Sequence, residues 1–364
     1  MSLKKIKVGL LGATGVVGQN YIKLLMRHPW FQIVDVAASP RSAGMKYAEA
    51  VKEKWQMSME IPKEIEHLIV RDVQDLDSMN KEVNFVFSAM DLPNKEETKS
   101  IEFKYAEHNI PVISNSSANR WTPDVPMIIP EVNYSHLDVI PIQQKSRGFS
   151  KGFVTVKPNC SIQSYMTPIF ALNKSGFKVE KLIITTLQAV SGAGYPGVPS
   201  LDIVDNIIPY INGEEKKSEQ EPLKIFGKVG KTGIINDDSL QISATCTRVP
   251  VSDGHTAVVN MKFKDEVPSK EKIINIWKEF TSLPQELKLP LAPKQPIIYY
   301  ESEIRPQPKK DRENDKGMAV TIGRLREDNI FDYKFVALSH NTIRGAAGGA
   351  ILIAELLKAR NFFD

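Results

Sequence analysis

The chain has 364 residues and a nearly balanced charge, with 47 lysines and arginines against 43 aspartates and glutamates. Without a dense basic run, this composition argues against a nucleic-acid or anionic-membrane partner, and two cysteines exclude a disulfide framework and favour a reducing cytoplasm. The length suits two domains. The N-terminus enters a strand without the apolar region of a signal peptide, and the longest apolar run, 345–357, is too short to span a membrane. We predict no membrane segment and no metal site.

The first strand, predicted over 5–11, leads directly into the turn Gly12-Ala-Thr-Gly-Val-Val-Gly18. Apolar residues at helical spacing follow from Val17 to His28. Glycines between a strand and a helix let backbone N–H groups approach a pyrophosphate. The order is G-x-x-G-x-x-G rather than the commoner G-x-G-x-x-G, and such turns also occur for packing reasons, so the pattern alone is a weak indication of a dinucleotide site.

The second strand, predicted over 31–38, strengthens that indication. In NAD-binding proteins an acidic residue about 20 positions after the glycines holds the ribose 2′-hydroxyl. Here Ser39 occupies that region and Arg41 and Ser42 follow it, without a carboxylate. An arginine flanked by hydroxyls suits a 2′-phosphate, which favours NADP over NAD. The alternative is that Arg41 is an ordinary surface arginine.

Further α/β units indicate a doubly wound parallel sheet. The predicted elements are strands 69–72, 83–88, 111–114 and 152–156 and a helix over 96–108. Ser88 and the segment 115–120 follow strand ends, where ligands bind in such sheets. Arg120 there suits an anionic substrate, although a solvated loop arginine explains it equally well.

Cys160 follows the last of these strands, and a helix is predicted over 161–172. A thiol at a helix N-terminus is expected to favour the thiolate, the form that acts as a nucleophile. A free cysteine is as often a small buried apolar residue. Position alone leaves both interpretations open for Cys160.

The second half of the chain has longer strands with polar alternation, which predict a mixed or antiparallel sheet with one covered face. The segments are strands 181–190, 240–248 and 256–263, a hairpin of 317–324 with 331–338, a helix over 202–209, and an extended proline-rich connection or oligomer arm over 284–308. We expect the boundary between domains near residue 157.

Arg248 and His255 flank a short link, which predicts an antiparallel hairpin with both side chains near a common point. A cation beside an imidazole suits a substrate that has a carboxylate and needs proton transfer. A histidine without a role is the alternative. Cys246 lies on the same strand and is predicted to be core.

Several motifs together carry a resemblance to a known family. They are, in chain order, Gly12-Ala-Thr-Gly-Val-Val-Gly18, Ser39-Pro-Arg-Ser-Ala-Gly44, Ser114-Asn-Ser-Ser-Ala118, Pro158-Asn-Cys-Ser161, Ser191-Gly-Ala-Gly194, Glu221-Pro-Leu-Lys224, Arg248 with His255, and His340-Asn-Thr-Ile-Arg-Gly-Ala-Ala-Gly348. This set closely resembles aspartate-semialdehyde dehydrogenases of the archaeal and fungal type, over nearly the whole chain.

The resemblance implies the architecture. An N-terminal Rossmann-type NADP-binding domain, residues 1–157, is completed by a last helix, 341–364, that returns to it. Residues 158–340 form a mixed α+β catalytic and dimerisation domain similar to that of glyceraldehyde-3-phosphate dehydrogenase. A cytoplasmic homodimer or homotetramer is expected.

The resemblance also implies the reaction, in which aspartyl phosphate is reduced to aspartate semialdehyde and phosphate through a cysteine thioester, in the pathway to lysine, threonine, methionine and isoleucine. The implied roles are Cys160 as nucleophile, His255 as acid/base, Gln163 as orienting residue, Arg248 for the substrate carboxylate, Glu221 near its amino group, Lys224 and Arg120 for phosphate, and Asn159 as the residue that favours aspartyl phosphate. The implied NADP contacts are Gly12, Thr14, Gly15, Val16, Val17, Ser39, Arg41, Ser42, Ser88, Ser191, Gly192 and Asn341.

Two alternatives remain. Archaeal malonyl-CoA reductases share this fold and many motifs, but they resemble Pro-Leu-Cys-Thr where this chain has Pro158-Asn-Cys-Ser161. A non-catalytic NADP-binding regulator has no need of Cys160, His255 and Gln163 together.

Overall fold

The computed structural model describes residues 5–363. Its first sheet consists of six parallel strands: β1 (Ile6–Leu11), β2 (Phe31–Ala38), β3 (Val70–Asp72), β4 (Phe85–Ser88), β5 (Val112–Ser114) and β6 (Val154–Val156). They lie in the order β3-β2-β1-β4-β5-β6. This is the doubly wound order, in which ligands bind at the carboxyl edge where β1 and β4 lie side by side. The prediction of a parallel, Rossmann-type sheet is confirmed.

Helices connect these strands and cover the sheet. They are α1 (Val16–Leu25), α2 (Tyr47–Val51), α3 (Lys63–Glu66), α4 (Lys95–Glu107), α5 (Pro130–Asn133) and α6 (Ile140–Arg147). All four residues of β4 are buried, as expected of a central strand with both faces covered.

The second sheet is mixed. The chain forms, in order, α7 (Gln163–Lys174), β7 (Val179–Gln188), α8 (Ser200–Ile203), α9 (Glu214–Ile225), β8 (Lys228–Val229), β9 (Ile234–Ile235), β10 (Gln241–Arg248), β11 (His255–Phe263), α10 (Lys270–Glu279), α11 (Leu283–Glu286), β12 (Ile297–Tyr300), α12 (Pro308–Asp311), β13 (Val320–Glu327) and β14 (Tyr333–Ser339). The sheet has the order β10-β7-β11-β14-β13-β12. Its packing against α7 and α10 confirms a mixed sheet with a covered face.

The predicted hairpin between β10 and β11 is wrong. β7 lies between them and pairs in parallel with β10 and antiparallel with β11. A short link between two strands suggested direct pairing, but β7 already occupies the edge of β11 that the hairpin needed. The hairpin of β13 with β14 is confirmed.

Two other predicted segments differ. The helix predicted over 202–209 ends at Ile203, because Asp205 has a φ of 56° and Ile208 exchanges two backbone hydrogen bonds with Arg248, of 2.8 and 3.0 Å. The proline-rich segment 284–308 is not one extended arm, since its residues 297–300 form the edge strand β12 beside β13.

The last helix, α13 (Gly348–Ala359), returns to the first sheet and packs on β5 and α1. All residues from Gly348 to Leu357 are buried, as expected of a helix that is apolar on every side. Its one acid, Glu355, is paired with His28 at 2.7 Å. No helix within residues 5–363 is long and apolar enough to cross a bilayer.

Candidate active site

The glycine turn between β1 and α1 is closely packed against its surroundings. A Cβ at Gly12, which has a φ of 76°, would lie 2.7 Å from the carbonyl oxygen of Ala89, and a Cβ at Gly18 would lie 2.5 Å from that of Gly12. A Cβ at Gly15 would meet only the Gly12 oxygen, at 3.7 Å. The turn therefore leaves open space at Gly15, at the N-terminus of α1, where unpaired N–H groups suit an anion.

The segment after β2 is suited to a 2′-phosphate. Arg41 is exposed, and Ser39 and Ser42 beside it are half-buried. The acid of β2, Asp35, is buried and paired with Arg71 at 2.8 Å, so it is unavailable to a ribose hydroxyl. The observed side chains fit NADP better than NAD.

Ser88 lies at the carboxyl end of β4, as predicted, but its buried hydroxyl is bonded within the protein. It donates to the buried Glu102 at 2.8 Å, which also accepts from Ser114 and Asn119. Ser88 therefore holds the strand ends together, and only its backbone remains for a ligand.

Cys160 lies in a tight turn between β6 and α7. The helix begins at Gln163, two residues later than predicted, because Pro158 and the bonded Asn159 shape the turn first. Asn159 Oδ1 accepts from the backbone N–H of Cys160 at 2.8 Å, and Gln163 Nε2 donates to the Asn159 carbonyl at 3.4 Å. A Cβ at Gly345 would lie 2.8 Å from Cys160 Cβ, so the segment before α13 covers the thiol closely.

The imidazole of His255 faces the thiol, with Nε2 at 3.5 Å from Cys160 Sγ. The backbone N–H of Ala189 donates to Nδ1 at 3.1 Å. Because a backbone N–H can only donate, Nδ1 is the acceptor and the ring proton lies on Nε2. Burial, and then the charge of Arg248, lower the pKa of His255 to about 3. His255 is therefore neutral at pH 7 and presents an N–H to the sulfur.

The thiol differs from the sequence-based expectation. Burial raises the pKa of Cys160, and the carboxylate of Glu214 raises it further. Lys157, Arg120 and Lys217 oppose that change but do not reverse it. Desolvation of the thiolate outweighs the helix terminus, which begins only at the third residue after the cysteine.

Arg248 and His255 meet at the end of β7, although their strands are not paired. Arg248 Nη1 donates to the carbonyl of Ala189 at 2.8 Å, the residue whose N–H binds His255. A Cβ at Gly192 would lie 2.7 Å from Arg248 Nη1 and 3.1 Å from His255 Nε2. A side chain at this position would displace the Arg248 guanidinium and press on the His255 ring.

Ser191 and Asn341 join the two halves of the site. Asn341 Nδ2 donates to Ser191 Oγ at 2.8 Å, and Asn341 Oδ1 accepts from the N–H of Gly254. The predicted cofactor contacts Ser191 and Asn341 thus lie together, and Gly192, the third, lies against His255.

Arg120 lines the cleft, but Glu221 and Lys224 lie behind its wall. Glu221 is fully buried, paired with Arg120 at 2.7 Å, and accepts from the N–H of Asn159 at 2.6 Å. Lys224 Nζ donates to three backbone carbonyls, of Arg120, Thr122 and Val125, at 2.7–2.8 Å. All three donor directions of this ammonium are occupied, so the structure does not bring Lys224 to the substrate.

Sequence reasoning missed several groups that line the cleft, which has a volume of about 350 Å³. Besides Cys160, Asn159, Arg120, Arg248 and Gly192, and Asp91 and Ser116 from the segments that follow predicted strand ends, its lining includes Gln188, Glu214 and Lys217. Glu214 Oε2 accepts from Asn159 and Gln188, and Oε1 accepts from Lys217 at 2.8 Å. An acid and a lysine three positions apart on a helix usually form a solvated pair, so only the burial of Glu214 reveals this contact.

A second cavity, of about 600 Å³, adjoins the cleft. Val16 and Ser191 line the cavity, while their neighbours Val17 and Gly192 line the cleft. The start of α1 and the segment after β7 thus border both spaces.

Two family models match the chain, the semialdehyde dehydrogenase NAD-binding domain over residues 7–140 and the semialdehyde dehydrogenase dimerisation domain over residues 169–344. The second match indicates that the chain carries a segment for subunit association. A crystal structure of aspartate-semialdehyde dehydrogenase with NADP from Candida albicans is similar to the chain, with a TM-score of 0.89 and 39% identity over 99% of this chain and 100% of that one.

Curated relatives show the same likeness. The aspartate-semialdehyde dehydrogenase of Aspergillus fumigatus is 42% identical over 99% of each chain. That of Methanothermobacter thermautotrophicus is 43% identical over 97% of this chain and 99% of its own. The fungal and archaeal resemblance is confirmed: the chain belongs to the aspartate-semialdehyde dehydrogenase family.

Proposed function

We propose that this chain reduces L-4-aspartyl phosphate to L-aspartate 4-semialdehyde with NADPH and releases phosphate. This proposal depends on one observation: Cys160 Sγ lies 3.5 Å from His255 Nε2. Arg248 and Arg120 line the same cleft as Cys160. A nucleophile, a proton donor and separate cations for a carboxylate and a phosphate are the groups that this reaction needs.

The glycine turn fits the cofactor, because Gly15 leaves open space at the N-terminus of α1 and the exposed Arg41 suits a 2′-phosphate. Thr14, Val16 and Val17 hold the pyrophosphate with their backbone N–H groups, and Ser191, Gly192 and Asn341 border the nicotinamide. When bound, NADPH supplies the hydride.

Cys160 attacks the acyl carbon as the thiolate, a C–S bond forms, and the bond from carbon to the phosphate oxygen breaks. His255 donates its Nε2 proton in a hydrogen bond first to the sulfur and then to the oxygen of the tetrahedral adduct. After reduction of the thioester, the C–S bond of the hemithioacetal breaks. The aldehyde leaves and Cys160 is again a thiolate.

Different charged side chains of the cleft bind the different charged groups of the substrate. Arg248 binds its carboxylate, and Glu214, which lines the cleft, binds its amino group. Arg120 and Lys217 hold the phosphate and stabilise it as the leaving group. Glu221 and Lys224 do not contact the substrate but hold Arg120 in position, and Glu221 also accepts from Asn159. Gln163 contributes a further hydrogen bond to the Asn159 carbonyl.

The relatives support this activity over that of a malonyl-CoA reductase, since those reported above are named aspartate-semialdehyde dehydrogenases. The pathway follows from the reaction, which lies on the route from aspartate to lysine, threonine, methionine and isoleucine. We further propose a cytoplasmic homodimer or homotetramer. Residues 1–157 with 341–364 form the cofactor domain, and 158–340 form the catalytic and dimerisation domain.

The test is the variant Cys160→Ala, with Cys246→Ala as the matched control because Cys246 is buried outside the cleft. We expect Cys160→Ala to abolish phosphate-dependent oxidation of aspartate semialdehyde while NADPH still binds, and Cys246→Ala to retain activity. Undiminished turnover in Cys160→Ala would refute the assignment. A parallel assay with malonyl-CoA tests substrate choice, and preferred reduction of that thioester would favour the reductase.

A further inference from the structure

Helix α9 supplies two charged groups of the cleft. Glu214, its first residue, and Lys217, three positions later, both line the cleft. Glu214 Oε2 accepts from Asn159 Nδ2 at 2.7 Å and from Gln188 Nε2 at 3.2 Å. Each residue turns a helix by about 100°, so both side chains reach the cleft only at one rotation and one height of α9. The contacts that fix α9 therefore decide where these charges lie.

The contacts that fix α9 include the edge of the second sheet. On one side this sheet ends at β10, its outermost strand among residues 5–363. β7 pairs with one edge of β10, so the N–H groups on the other edge need acceptors from outside the sheet. The backbone N–H of Ala244 donates to Glu219 Oε1 at 3.1 Å. The backbone N–H of Cys246 donates to Glu215 Oε1 at 3.2 Å.

The spacing of the two glutamates matches the spacing of their donors. Glu215 and Glu219 are four positions apart, which is about 6 Å along a helix. Their donors belong to alternate residues of β10, which are about 6.6 Å apart along a strand. Two carboxylates of one helix can therefore bind two consecutive donors of the edge while both elements stay regular. The chain before α9 continues the series, because Ile208 exchanges two backbone hydrogen bonds with Arg248.

Two sides of α9 thus have different contacts. Residues three or four positions apart share a side of a helix, so Glu214 and Lys217 lie on one side and Glu215 and Glu219 on another. The second pair is half-buried and does not line the cleft. One side of α9 is bonded to the edge of β10, and the other carries the charges of the cleft.

We propose that Glu215 and Glu219 are positioning residues whose hydrogen bonds to β10 fix the register of α9. This register in turn places Glu214 and Lys217 in the cleft. The inference rests on the proposed function, in which Glu214 binds the substrate amino group and Lys217 binds phosphate. The role of the two glutamates depends on their acceptor oxygens and not on their charge, because each bonds a neutral N–H.

The two cysteines of the chain allow the edge and the cleft to be followed separately by NMR. With cysteine as the labelled residue type, the full-length protein gives backbone amide signals from Cys160 and Cys246. The Cys246 amide reports the bond to Glu215. The Cys160 amide donates to Asn159 Oδ1 at 2.8 Å, and Asn159 Nδ2 donates to Glu214. Hydrogen exchange at Cys160 therefore reports whether Glu214 keeps its place.

We expect the double variant Glu215→Ala/Glu219→Ala to accelerate hydrogen exchange of the Cys246 amide about tenfold and that of the Cys160 amide about fivefold. Glu215→Gln/Glu219→Gln keeps both acceptor oxygens and should leave both rates within about twofold of the wild type. If the alanine double variant does not fold, Glu215→Ala alone keeps the Glu219 bond and should still accelerate Cys246 about tenfold.

The matched control is Lys216→Ala/Gln220→Ala, which truncates two exposed side chains of the same helix and should leave both exchange rates unchanged. An unchanged Cys246 rate in the alanine variant of the two glutamates would overturn the proposal. So would equal acceleration in the alanine and glutamine variants, because the acceptor oxygens would then be irrelevant.

Steady-state kinetics separate positioning from simple destabilisation. In Glu215→Ala/Glu219→Ala we expect the KM values for aspartate semialdehyde and for phosphate both to rise about tenfold, because both charges of α9 move together. The Kd for NADPH should stay within about twofold, since the glycine turn lies on the other sheet. A protein that is only less stable would lose active enzyme, which lowers kcat and leaves both KM values unchanged.

Unchanged KM values together with faster exchange at Cys246 alone would overturn the proposal, because the bonds would then hold the edge without placing the cleft charges. Hydrogen exchange needs no turnover. A wild type without activity would therefore refute the proposed function, whereas unaltered exchange at Cys160 in the alanine variant would refute this inference.

Discussion

The glycine turn and the Cys160 cleft are built in opposite ways. The turn places its ligand groups within the seven consecutive residues 12–18, and they are backbone N–H groups at one helix end. The cleft gathers side chains from helices, strands and turns that are distant in the chain, with Cys160, Glu214, Arg248 and His255 among them. A local pattern suffices to define a backbone site, whereas the topology of two sheets decides which side chains meet.

The largest expected effect tests the side-chain site. Arg248→Met removes the cleft cation that has no carboxylate partner within residues 5–363, and with it the charge-assisted bond to the substrate carboxylate. We expect kcat/KM for aspartate semialdehyde to fall more than a hundredfold, about 3 kcal/mol, while the Kd for NADPH is unchanged. Steady-state kinetics and a cofactor titration measure both, and an equal loss of cofactor affinity would show that the two sites are not separate.

The backbone site is tested by a pair of glycine variants. A Cβ at Gly18 meets backbone oxygens at 2.5 and 2.7 Å, whereas a Cβ at Gly15 meets one atom at 3.7 Å. We expect Gly18→Ala to lower the free energy of unfolding in urea by about 2–3 kcal/mol. Gly15→Ala should change it by less than about 0.5 kcal/mol but weaken NADPH binding, because its methyl group occupies the space left for the pyrophosphate.

An equal loss of unfolding free energy in Gly18→Ala and Gly15→Ala would contradict the view that Gly18 is closely packed and Gly15 is not. Unchanged NADPH affinity in Gly15→Ala would show instead that the pyrophosphate does not lie against the turn.

The same contrast explains which sequence-based predictions are correct. The strand before the glycine turn and the helix after it follow from local periodicity, and the parallel sheet follows from alternation of strands with helices. The convergence of Arg248 and His255 was predicted for a wrong reason, since β7 separates their strands. Their meeting point at Ala189 depends on sheet order, which short links in the sequence do not determine.

The other differences between the predicted and the observed site arise from which side chains are buried. The family resemblance implied substrate contacts for Glu221 and Lys224, but both side chains lie behind the cleft wall. Glu214 and Lys217 have the pattern of a surface pair and yet line the cleft. The pKa of Cys160 is raised and not lowered, because desolvation depends on atoms that are distant in the chain.

Burial of His255 predicts an acid-sensitive fold. Its pKa is lowered to about 3 in the folded state from an ordinary value of 6.5. Between these values the unfolded chain binds a proton that the folded chain does not, so acidification favours unfolding. Between pH 7 and pH 5 we expect the wild type to lose about 2 kcal/mol more free energy of unfolding than His255→Asn. Parallel losses in urea titrations of the two proteins would mean that His255 is already protonated at pH 5.

The smallest expected effect concerns the part of the cofactor site that does use a side chain. Arg41 is exposed, so its pairing with a 2′-phosphate is weakened by water and salt. We expect Arg41→Ala to raise the Kd for NADPH about tenfold, roughly 1.5 kcal/mol, and to leave the Kd for NADH unchanged.

The exposed Lys46 nearby provides the control for Arg41, since Lys46→Ala removes the same charge outside the Ser39–Ser42 segment and should leave both cofactors unaffected. Equal weakening of NADPH and NADH in Arg41→Ala would exclude a 2′-phosphate contact. If the preference for NADPH disappears in Arg41→Ala alone, then one exposed side chain selects the cofactor, whereas the backbone of the turn binds the part that NADPH and NADH share.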